Sequence, residues 1–107
     1  MKLVDPEGAL LDMNEAGLTM VGAADRSDAI GQNVYDLMAP EYRDKFTRFN
    51  ERVCAGESGE LSFDIIGLDG TRRSMETIAV PLPRELEGDV IHLAITRDLT
   101  QRIQIEE

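Results

Sequence analysis

The chain has 107 residues, the size of one domain, and 42% of them are hydrophobic, a globular composition. Its formal net charge of −10 argues against binding to a phosphate backbone and against docking on an anionic membrane surface. Cys54 is the single cysteine, which excludes an internal disulfide and a cysteine-based zinc site; no apolar run approaches the ~20 residues of a membrane span, and no secretory signal opens the chain, so the cytoplasm is the expected compartment.

In chain order, Leu3-Val4 predicts a short strand that enters a turn at Asp5-Pro6-Glu7-Gly8. Leu10, Leu11 and Met13 predict a second short strand, hairpin-paired with the first. Asn14 is placed to cap a helix whose apolar positions are Ala16, Met20 and Val21 and which Gly22 closes. Ser27 to Gly31 reads as a single helical turn with Ser27 as cap, and Asn33 to Met38 as another, ended by Pro40. From Glu41 to Ala55 runs the longest predicted helix, with Tyr42, Phe46, Phe49 and Val53 on one apolar stripe. The period then changes to that of a strand: Leu61, Phe63 and Ile65 alternate with polar neighbours, Leu68-Asp69-Gly70-Thr71 marks a tight turn, and Arg72 to Pro81 alternates again. A polar loop from Glu85 to Asp89 leads into a strand from Val90 to Arg97, followed by a charged tail. Two strand runs separated by a helical block predict an α+β fold: a five-stranded antiparallel sheet with short helices and one long helix covering one face.

This order and its punctuation resemble the PAS fold over nearly the whole chain. The residues that carry the resemblance are Asp5-Pro6-Glu7-Gly8, Asn14-Glu15-Ala16, Gly22, Asp28-Ala29-Ile30-Gly31, Pro40-Glu41, Gly59, Phe63, Leu68-Asp69-Gly70-Thr71, Pro81 and Thr96-Arg97-Asp98-Leu99-Thr100. The resemblance implies a PAS domain over residues 1–99 and the start of an exit helix over 100–107. It further implies a sensory or regulatory module of a larger transducer, such as a histidine kinase or a diguanylate cyclase, with Asp98, Leu99 and Thr100 forming the signal junction. An output domain in the same polypeptide would then receive the signal. The residues alone read Asp98 or Thr100 as an ordinary helix cap, which is compatible with a junction role. Tyr42 and Met75 depart from residues common in the family, and there is no tryptophan, which leaves the ligand unnamed.

Catalysis finds no support. His92 is the only histidine, no serine sits in a nucleophile elbow, and Gly56-Glu57-Ser58-Gly59 lacks the lysine of a phosphate cradle, so no catalytic or metal-binding residue is assigned and the domain is expected not to be an enzyme. The cofactor is left unknown. Asn33 to Met38 lacks the cysteine of covalent flavin photosensors, and the long helix lacks the histidine of the family's haem sensors; non-covalent flavin and haem held by Met or Cys stay open.

Alternation in the strands divides the remaining candidates into two faces. Leu61, Phe63, Ile65, Met75, Thr77, Ala79, His92, Ala94 and Thr96, facing Val34, Leu37, Met38, Phe46 and Phe49 of the helical block, are the predicted ligand pocket. The ordinary reading of His92, satisfied by a backbone carbonyl or exposed, is favoured over a ligand contact. Ile78, Val80, Ile91, Leu93 and Ile95 on the other face predict a homodimer interface, or else a face covered by a preceding segment or by the exit helix, so the alternative function is a ligand-free dimerisation or interaction module.

Overall fold

The computed structural model describes residues 1–99. The predicted exit helix and Thr100 of the junction lie outside the described residues. Strands β1 (Lys2–Val4) and β2 (Leu10–Met13) form the expected hairpin, with Gly8 at φ 95 in its turn. Helices α1 (Glu15–Met20) and α2 (Arg26–Ala29), a 3-10 turn at Val34–Leu37, and a second at Pro40–Tyr42 that runs into α3 (Arg43–Cys54) make up the helical block. Strands β3 (Gly59–Ile66), β4 (Arg72–Arg84) and β5 (Asp89–Asp98) complete one antiparallel sheet in the order β2-β1-β5-β4-β3. Because β1 pairs with β5, the two ends of the described chain meet at the centre of the sheet, with Lys2 opposite Ala94 and Val4 opposite His92.

Local chemistry explains most element boundaries. The Asn14 side chain accepts from the Gly17 N–H and caps α1. The predicted cap of α2 is corrected: Asp25, not Ser27, holds the N-cap, in a reciprocal capping box with Asp28, while the Ser27 hydroxyl donates to the Asp25 carboxylate. The apolar face of α1 is also corrected, because Ala16 is exposed and Gly17 is the buried position. Strand β4 runs beyond Pro81 to Arg84. Its pairing with β3 ends at Ala79 opposite Gly59, so Pro81 and Pro83 occupy a stretch with no β3 neighbour to receive the N–H they lack.

The core lies between the inner sheet face and the helices. Phe46 and Phe49 of α3 pack against Phe63 of β3 and His92 of β5, with Phe46 and Phe63 edge to face at 5.1 Å between ring centroids. Tyr42, first in the predicted stripe, is only half-buried, whereas Asn50, which no apolar pattern includes, is fully buried. Among the described residues no helix is long and apolar enough to cross a membrane.

Candidate functional site

A cavity of about 40 Å³ opens between the inner face of the sheet and the α1 side of the helical block. Seven predicted pocket residues line it: Val34, Leu37 and Met38 from the helical block, and Phe63, Ile65, Met75 and Thr96 from the sheet. The other seven do not. Phe46, Thr77, Ala79, His92 and Ala94 are buried in the core beside the cavity rather than on its wall, and Leu61 packs half-buried against the same core. Phe49 borders instead a shallow polar depression at the end of α3, with Arg52, Glu57 and Glu60. Strand alternation selects a face of the sheet, but the aromatic side chains of α3 fill the half of that face lying under them.

The wall also holds residues that sequence reasoning missed. Met1, Lys2, Met13, Gly17, Met20 and Val21 close the cavity on the hairpin and α1 side. With Met38 and Met75, this brings all five methionines of the chain to one cavity. Thioether side chains are unbranched and polarisable, so they fill irregular space and rearrange at low cost. Gly17 is required here, since a Cβ at that position would lie 2.4 Å from Met13 Cγ.

His92 is placed differently from both sequence readings. It is fully buried, and its Nδ1 lies 3.0 Å from Asn50 Oδ1 rather than near a backbone carbonyl. Asn50 Nδ2 donates to the Asp5 carbonyl and to the Tyr35 hydroxyl, which turns Oδ1 toward the ring. His92 Nδ1 therefore carries the proton, and Nε2 presents a bare lone pair with no partner among the described residues. Burial, reinforced by the nearby Lys2 ammonium, pushes the imidazole down to about 3. Cys54 is half-buried, and its thiol, pushed up by burial, lies 3.7 Å from Asn50 Oδ1.

The end of β5 is wired to the cavity. Asp98 pairs in register with Met75, and Thr96, two residues before it, shares a short hydrogen bond with Thr77. Arg73 joins the parts: Nη1 donates to the Met20 carbonyl at 2.7 Å, Nε lies 3.8 Å from the Asp98 carboxylate, and Nη2 lies 3.6 Å from Asp69. Leu99 N–H donates to the Ser74 carbonyl at 2.8 Å, continuing the pairing beyond the last strand residue. The predicted outer face is only partly exposed. Ile78, Val80 and Ile95 are open to solvent, as is Leu82, which the pattern missed; Leu93 is half-buried, and Ile91, at 2% exposure, does not belong to the patch.

A family model described as "PAS fold" matches residues 2–104. The chain is 28% identical over 104 residues to Sporulation kinase A of Bacillus subtilis, a match that covers 94% of this chain and 16% of that protein. Among solved structures it is similar to the PAS domain of a protein from Colwellia psychrerythraea, at 28% identity and TM-score 0.73, covering 94% of this chain and 87% of the other. It shares its fold with the PAS domain of an HTR-like protein from Haloarcula marismortui, at 20% identity and TM-score 0.74, covering 91% and 78%.

Proposed function

This chain belongs to the PAS family, and on that premise we propose that it binds a small, largely apolar molecule in the methionine-lined cavity and passes occupancy on through the end of β5. It is a sensory domain of the kind found in signal-transduction proteins such as histidine kinases. One observation carries the ligand reading: the cavity wall and the strand end share residues, with Met75 on the wall directly opposite Asp98 and Arg73 tying the Met20 carbonyl to the Asp98 carboxylate. A ligand that displaces Met20 or Met75 shifts a neighbour of Asp98, so its affinity differs between two positions of the strand end, as any transmitted signal requires. The receiver in this reading is an output domain of kinase or cyclase type in the same polypeptide, working in the cytoplasm. Native mass spectrometry of freshly purified protein, followed by a small-molecule library screen read on the ¹³C-methyl resonances of the methionines, tests the binding step. A co-purified small molecule or saturable methyl shifts are expected; an empty protein whose methyls no compound moves would overturn it.

A second function is favoured by the outer sheet face. Ile78, Val80, Leu82 and Ile95 form an exposed apolar surface that water covers poorly, and a homodimer through this face would bury it. Sensing and dimerisation use opposite faces of the sheet and are compatible.

A further inference from the structure

Lys2 stands in the cavity wall and is 6% exposed. Among the described residues its Nζ has no hydrogen-bonding or ion-pairing partner, although the chain carries 21 acidic side chains. Its neighbours are the ring faces of Phe46 and Phe63, 5.0 and 5.2 Å from Nζ to the centroids. The remaining wall is methionine, aliphatic side chain and the Thr96 hydroxyl. Burial alone pushes the ammonium down to about 8, so at neutral pH it stays charged in a setting that offers no counter-charge. A buried charge without a partner is costly, and a surface lysine would relieve that cost by turning its ammonium to water. The place of Lys2 on β1, between β2 and β5, instead directs its side chain inward, with the ammonium over the Phe46 and Phe63 rings.

We propose that the ligand of this cavity is an apolar monocarboxylate, its head on Lys2 Nζ and its body among the methionines. This deepens the pocket reading above and rests on it. The head is a carboxylate rather than a phosphate because the wall's side chains supply one cation and the Met1 α-ammonium is already taken up by Asn14 Oδ1, so a phosphate dianion would keep an uncompensated charge in apolar surroundings. The body is apolar because the walls beyond Lys2 and Thr96 offer no side-chain donor. At about 40 Å³ the cavity is smaller than the roughly 150 Å³ apolar cavity known to take benzene, so binding proceeds by displacement of methionine side chains. Met13 and Met20 sit on short elements, the four-residue β2 and the end of the six-residue α1.

Titrating ¹³C-methyl-methionine protein with straight-chain carboxylates from acetate to decanoate, and with the matching primary amides, tests the assignment. At least one acid is expected to shift the cavity methyls to saturation, with its amide at least tenfold weaker, as expected when a buried charge loses its partner. Lys2→Leu should erase the preference for acid and Lys2→Arg should retain it, with methyl dispersion reporting that each variant is folded. If acid and amide bind the wild type equally, or the preference survives in Lys2→Leu, the anchor is overturned and the pocket stands. If library compounds bind while no acid does, the ligand class is wrong. If neither set moves the methyls, the pocket reading falls with it.

Discussion

The fully buried His92 and Asn50 and the nearly buried Lys2 set the acid and base behaviour of the core. His92 ionises freely near 6.5 when unfolded and is pushed down to about 3 when folded, so the unfolded chain holds the extra proton between those values. Its contribution to stability is complete above about pH 6.5 and is lost as the pH falls toward 3, with a ceiling of roughly 5 kcal/mol. Glu41, Asp69 and Asp89, each held below the usual carboxylate range by hydrogen bonds, add to the loss in the same direction. Urea unfolding from pH 7 to pH 4 should therefore show stability falling in the wild type and falling less steeply in His92→Gln; equal slopes would mean that the ring does not titrate as described. Lys2 has the same sign at higher pH: pushed from 10.5 to about 8, it destabilises the fold while charged. Lys2→Leu should thus raise the stability of the ligand-free protein at pH 7, by up to about 3 kcal/mol. A carboxylate bound at Lys2 Nζ would offset that cost, which is the logic of the carboxylate anchor.

Between elements, the contact that governs the cavity is the docking of α1 on the β3–β4 turn. The Leu68 N–H donates to the Val21 carbonyl at 2.7 Å, and the Arg73 guanidinium to the Met20 carbonyl, so two free carbonyls at the end of α1 are satisfied by the hairpin. The approach is close enough that a Cβ on Gly67 would lie 2.8 Å from the Val21 carbonyl oxygen. Gly67→Ala should therefore cost about 1–3 kcal/mol, from overpacking against rigid backbone, and should shift the Met20 methyl resonance as α1 moves away. Wild-type stability with an unmoved Met20 would show that the docking is soft. None of this was visible in the sequence, where Gly67 is one glycine beside a turn signal. The caps of α2 make a related point: Asp25 and Ser27 are both good caps, and only the reciprocal bond with Asp28 chooses between them.

Over the whole molecule, the sheet separates two surfaces, with the cavity and helices on one side and the exposed apolar patch on the other. The patch centres on the cross-strand pairs Ile78–Ile95 and Val80–Leu93, with Leu82 at its edge. Sedimentation over a concentration series should show reversible dimerisation, and Ile95→Glu should weaken it at least tenfold while leaving the fold intact, since its side chain is 66% exposed. A wild type that stays monomeric at the highest concentration would remove the dimer reading.

The α+β architecture, the family, the turns and the inward faces of β3 and β4 were determined by the sequence alone, because they follow from short-range periodicity and from residues with few backbone options. Half of the residues predicted for the pocket lie on the cavity wall for the same reason: alternation states which way a side chain points. Only the tertiary structure decided what each inward side chain meets. Pairing of β1 with β5 carries Lys2 into the core and five methionines, spread from Met1 to Met75, to one cavity. Packing of α3 on β5 turns His92 to Asn50, forty-two residues away. Such meetings depend on strand order and helix docking, which join residues far apart in the chain and so leave no local pattern to read.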